Sequence, residues 1–214
     1  MTRLAVFISG RGSNLQALID ARARGELAGE IGVVVSSRTG APGLERAQEA
    51  GLRHRVVDAA DYASREDFDA ELDNVANQAG CGLICLAGFM RILTPGFADA
   101  WRNRLVNIHP ALLPAFPGTA CHRRVLESGV MITGCTVHFV RPALDAGPII
   151  AQAAVPVLPG DDERSLADRV LVAEHRLYPM ALNLVLQGRV RVIGERVVVD
   201  APVRPGDMLV NPAP

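Results

Sequence analysis

Apolar positions along this chain switch repeatedly between two periods, and each switch predicts an element. Residues 4–8 form an unbroken apolar run, short enough for a strand buried on both faces. After Ser9-Gly10-Arg11-Gly12-Ser13-Asn14, apolar residues recur as Leu15, Leu18 and Ile19, the spacing of one helix face. Residues 31–35 predict a second strand, 43–50 a second helix and 55–57 a short third strand. Ser64-Arg65-Glu66-Asp67 ahead of Phe68, Leu72 and Val75 has the form of a capping box that opens a helix. Residues 83–87 are again continuously apolar, Thr94-Pro95 opens a helix with Pro in its first turn, and 105–108 predict the next strand. Residues 123–127 belong to a further helix.

The pattern then changes character. Residues 132–140 and 149–157 are two strands separated by Pro142 and Gly147. A long amphipathic helix covers 162–187, closed by Gly188, and 190–193 with 197–199 flank Gly194-Glu195 as a β-hairpin. Strand–helix alternation predicts an α/β fold, a doubly wound and mostly parallel sheet with a mixed C-terminal half. The expected organisation is one domain over residues 1–200 and a loose, Pro-rich tail over 201–214.

Composition narrows the function classes. The net charge of −1, with acids and bases interspersed, points away from nucleic acid and from a polybasic membrane surface. No run approaches the roughly 18 apolar residues of a membrane span, and a cytoplasmic location is expected. All basic side chains other than His are Arg; without Lys, neither Schiff-base chemistry nor a Walker-type phosphate lysine operates. The four cysteines, Cys81, Cys85, Cys121 and Cys135, contain no Cys-x-x-Cys pair, so inert buried thiols are expected. The five histidines lack a His-x-x-x-His pair, and no metal is expected.

Candidate chemistry collects where strands end, the usual place for sites in such sheets. Gly10–Asn14 follows the first strand and opens a helix, where glycines permit close backbone approach and free amides suit an anion. A dinucleotide fingerprint would need Gly or Ala where Leu15 stands, so a monophosphate fits better; a plain Gly turn with Ser13 as cap fits the same residues. In Asn107-Ile108-His109-Pro110, strand alternation points Asn107 and His109 to one side. Together they supply an amide donor and a proton carrier, as transfer at a carbonyl requires. A buried polar pair tying a strand to its loop has the same spacing. Asp145 in Leu144-Asp145-Ala146-Gly147-Pro148 is either a local turn residue or a carboxylate that reaches His109 and favours its cation. Among the other histidines, His138 is expected to be a structural hydrogen-bonder and His175 to lie on a solvated helix face.

Taken in order, residues 8–15, Leu86-Ala87-Gly88-Phe89-Met90-Arg91-Ile92-Leu93, residues 107–114 and 144–148 closely resemble the phosphoribosylglycinamide formyltransferase family. The resemblance runs from about residue 4 to 188 and is weak only after 193. It implies a Rossmann-like formyltransferase fold and a folate-dependent one-carbon transferase of de novo purine (IMP) biosynthesis. The implied substrates are 10-formyltetrahydrofolate and 5'-phosphoribosylglycinamide, in a monomer or homodimer. By resemblance, Gly12, Ser13, Asn14 and Glu174 meet the ribonucleotide. Arg65, Met90, Arg91, Ile92, Leu93 and Asn107 meet the folate, and Asn107, His109 and Asp145 are the catalytic trio. Many relatives carry a further His or another polar residue around position 120, where this chain has Ala. Two rivals remain: a hydrolase that releases formate from the same folate, and a nucleotide-binding module without catalysis.

Overall fold

A computed structural model describes residues 2–200. Seven strands form one sheet: β1 (Arg3–Ile8), β2 (Glu30–Ser36), β3 (His54–Val56), β4 (Cys81–Leu86), β5 (Leu105–His109), β6 (Ile132–Phe139) and β7 (Ile149–Pro156). Their order across the sheet is β3-β2-β1-β4-β5-β6-β7. β1 to β5 run parallel, while β6 and β7 each pair antiparallel to the preceding strand. The expected doubly wound sheet with a mixed second half is therefore observed, and the chain reverses direction across the sheet between β1 and β4.

Helices cover both faces: α1 (Ser13–Ala23), α2 (Gly43–Glu49), α3 (Arg65–Gln78), α4 (Pro95–Ala100), α5 (Cys121–Ser128) and α6 (Glu163–Leu186). Side-chain alternation along β1 sorts the core. Leu4, Val6 and Ile8 pack with Leu15 and Leu18 of α1 and with Leu166, Tyr178 and Leu182 of α6. Ala5 and Phe7 pack on the other face with Phe68 and Leu72 of α3 and with Phe97 and Trp101. Local signals set the helix starts. Ser64 caps α3 through the Asp67 amide, Thr94 caps α4 through the Phe97 amide, and Asp162 with Ser165 closes a capping box on α6.

The hairpin β8 (Val190–Ile193) and β9 (Arg196–Val199) follows α6. Glu195 at its turn meets the buried Arg141, Oε2 to Nε 2.8 Å. Arg141 also donates to Asn103 Oδ1 at 2.7 Å, and it roots the loop that carries Asp145. The expected tail over 201–214 lies outside the described residues. Among those residues no helix is long and apolar enough to cross a membrane.

Candidate active site

The end of β5 supplies the first two side chains. Asn107 and His109 lie two residues apart on one strand and so project to one face. Across the antiparallel ladder, Asn107 stands opposite His138 and His109 opposite Thr136. His138 donates from Nδ1 to the Phe139 carbonyl at 3.0 Å, which leaves Nε2 to accept from Asn107 Nδ2 at 3.2 Å. Burial lowers the pKa of His138, in keeping with a neutral ring that can accept. The Asn107 amide is thus turned by a neighbouring strand.

Asp145 comes from the loop after β6 and adopts a left-handed backbone, φ 50°. Its side chain makes no local turn, contrary to the common behaviour of Asp before Gly. Oδ2 accepts the Gly118 amide at 2.8 Å and lies 3.4 Å from His109 Nδ1, while Oδ1 lies 3.7 Å from His138 Nε2. The other ring nitrogen of His109, Nε2, donates to the Phe116 carbonyl at 2.9 Å, with Cys121 Sγ 3.5 Å away. Both ring nitrogens therefore face oxygen, an arrangement satisfied by a ring that donates from both. His109 is only 4% exposed, and the Phe116 carbonyl takes up its Nε2. Phe116 and Ala120 hold positive φ, 54° and 53°, in this covering loop, a conformation costing about 1–2 kcal/mol for a residue with a Cβ. Cys121, the thiol nearest the site, is buried and its pKa is raised by that burial, so it is a poor nucleophile.

The Gly10–Asn14 segment sits at the β1–β4 reversal. Gly12 takes φ 69° and precedes α1 with no side-chain cap, so the amides of the first turn have no intrahelical acceptor. Asn14, expected to meet a ribonucleotide, turns its side chain inward: Nδ2 donates to Glu174 Oε2 at 2.8 Å. Its Oδ1 is buried without a partner, and burial raises the pKa of Glu174. What this segment offers outward is backbone, the exposed Arg11 and the half-buried Ser13. The segment after β4 is stitched to it, because Ser9 Oγ accepts the Met90 amide at 2.8 Å.

Arg91, Ile92, Leu93, Asn107, His138 and Asp145 help line one cavity of about 130 Å³. A second, of about 500 Å³, shares Arg91 and Ile92 and extends past Met90 to Arg65. Met90 is 74% and Ile92 68% exposed, an apolar rim without cover. Arg65 donates to the Ile92 carbonyl at 3.0 Å and remains at the surface.

The structure thus gathers Asn107, Asp145 and the 91–93 segment around one cavity, and joins His109 to Asp145 beneath a loop. Ser13, Asn14 and Glu174 form a separate cluster around the start of α1. His138 is the structural hydrogen-bonder its position predicts, and the cross-strand register adds that one of its partners is Asn107. His175 corrects an expectation. It is half-buried, its Nε2 has no partner, and burial lowers its pKa, so it does not lie on a solvated face. Among the described residues no group of three or more His, Cys, Asp or Glu side chains could hold a metal ion.

An amide, an imidazole and a carboxylate meet beside a small cavity, and the thiol nearest to them is buried. Comparisons with known proteins supply the class. The formyl transferase family matches residues 2–182. Phosphoribosylglycinamide formyltransferase of Escherichia coli (strain K12) is 44% identical over 88% of this chain and 89% of its own length. The trifunctional purine biosynthetic protein adenosine-3 of Gallus gallus is 50% identical over 89% of this chain, which spans only 19% of that protein. The crystal structure of glycinamide ribonucleotide transformylase 1 from Symbiobacterium toebii superposes with a TM-score of 0.91 at 49% identity, covering 93% of this chain and 94% of that one. The chain belongs to the formyl transferase family, in its phosphoribosylglycinamide formyltransferase branch.

Proposed function

We propose that the chain transfers the formyl group of 10-formyltetrahydrofolate to the glycine amine of 5'-phosphoribosylglycinamide, a step of purine biosynthesis. The observation that carries it is the meeting of Asp145 Oδ2 with His109 Nδ1, next to Asn107 and the cavity edged by Ile92 and Leu93. The folate occupies the two cavities that share Arg91 and Ile92, with Arg65 facing its carboxylates. The ribonucleotide phosphate lies on the Gly12, Ser13 and Asn14 amides, and Glu174 lies on its side of the site.

The amine attacks the formyl carbon, and the carbonyl electrons move onto oxygen. The second N–H of Asn107 Nδ2 and a protonated His109 stabilise that oxyanion, worth about 3–4 kcal/mol for one well-placed donor. The oxyanion electrons then return to the carbonyl as the C–N10 bond breaks, N10 leaves with the proton of His109, and the proton lost by the attacking amine recharges the ring. Asp145 orients the ring from its Nδ1 side. For Nε2 to meet substrate, the Phe116 carbonyl must move off it, so the 111–121 loop opens and closes during turnover. A cytoplasmic location belongs to the same proposal, supported by four free buried thiols, and a monomeric or homodimeric state is proposed with it.

Mixing the protein with 10-formyltetrahydrofolate, with and without the ribonucleotide, tests this. Folate deformylation is expected only with the amine acceptor present. Turnover without it would mark a hydrolase, and none in either mixture a binding module.

A further inference from the structure

α2 packs backbone to backbone on the phosphate loop. A Cβ at Gly12 would stand 2.6 Å from Gly43 Cα, and the Gly43 amide donates to the Gly10 carbonyl at 3.0 Å. That close approach aims the same helix face, one turn on, at the loop. Arg46 occupies this position, half-buried. It donates from Nε to the Arg11 carbonyl at 2.9 Å and from Nη1 to Gln16 Oε1 at 3.2 Å. Gln16 in turn donates from its backbone to the Gly12 carbonyl at 2.9 Å and from its side chain to Asp20 at 2.8 Å.

The Arg11 carbonyl and the Gly12 N–H are two ends of one planar peptide group. Fixing the carbonyl fixes the direction of the N–H. Donation from a cation also polarises the group, which strengthens the N–H as a donor at its far end. The guanidinium places a full positive charge behind a loop that lacks any lysine. We infer that Arg46 is a positioning residue of the phosphate site, which sets the Arg11–Gly12 peptide and through it the affinity for the phosphorylated substrate. This rests on the transferase function proposed above and deepens its ribonucleotide side. Arg46 need not touch the ligand, because two of its donors are already committed to the loop and to the first turn of α1.

The full chain carrying Arg46→Met or Arg46→Lys is assayed with both substrates, with inorganic phosphate as a competitor. For Arg46→Met, the KM for the ribonucleotide and the inhibition constant of phosphate are expected to rise roughly tenfold, the scale of one charge-assisted hydrogen bond. The kcat and the folate KM stay within about twofold, since the catalytic cluster is built from other elements. Lysine restores charge but cannot span both the Arg11 carbonyl and Gln16, so Arg46→Lys falls between wild type and Met. A Met variant that melts earlier yet binds phosphate as wild type overturns the inference, as does a loss confined to kcat. If the Met variant fails to fold, the Lys variant decides: an unchanged phosphate constant counts against. Wild-type protein that transfers no formyl group would sink the transferase function instead. Phosphate affinity of the variants, measured by calorimetry, would still decide the role of Arg46.

Discussion

The two ends of this candidate site are made of different material. At the β1–β4 reversal, a contiguous segment offers backbone amides, held from behind by α2. At the β5–β6 junction, side chains from β5, β6 and a loop meet only because an antiparallel strand brings His138 and the Asp145 loop beside Asn107 and His109. A backbone site is vulnerable to an added Cβ and indifferent to most side-chain truncations. A side-chain site is the reverse.

Substitutions should separate the two ends cleanly. The largest effect is expected at the catalytic end: His109→Ala and Asp145→Asn each lower turnover by about two to four orders of magnitude. Ribonucleotide binding measured by calorimetry stays nearly intact in both. Near-normal turnover of Asp145→Asn across neutral pH would remove its assigned role. At the backbone end, Gly12→Ala combines φ 69° with a 2.6 Å approach to Gly43 Cα. It should cost about 2–3 kcal/mol in thermal unfolding and raise the ribonucleotide KM. A fully stable variant with wild-type KM would contradict the close packing. A smaller effect is expected for His138→Leu, which removes the acceptor of the Asn107 amide: kcat falls roughly tenfold, the worth of about one hydrogen bond, as steady-state kinetics would read.

The smallest effect concerns pH. Burial raises the Glu174 pKa, so the folded chain holds a proton that the unfolded chain has lost. Between the unfolded and folded pKa values stability therefore falls as pH rises. Glu174→Gln removes this term, and its melting temperature should exceed wild type by a margin that grows from acid toward neutral pH. A margin that shrinks over that range would show that Glu174 is stabilised as the anion.

Most elements were legible because strand and helix periods alternate so regularly. Gly10–Asn14 reads as a candidate anion site from local chemistry alone: a strand end, two glycines and a helix start. The pairing of Asn107 with His109 followed from strand alternation alone. Other contacts depend on register and packing between distant segments. The spacing of residues 132–139 says nothing about which way β6 runs, so it could not place His138 against Asn107. Neither could it show that the Phe116 carbonyl caps His109, or that Arg46 reaches the Arg11 carbonyl. Asn14 was legible as part of the loop, but the inward turn of its side chain depends on Glu174, which lies on another helix.

The hairpin that follows α6 lies beyond the matched region, which ends at residue 182, yet its Glu195 neutralises the guanidinium at the root of the Asp145 loop. Trimming the chain to that boundary would keep every candidate active-site side chain and strand a cation inside the molecule. The terminal ribbon is in this sense a remote brace for the carboxylate that faces the imidazole.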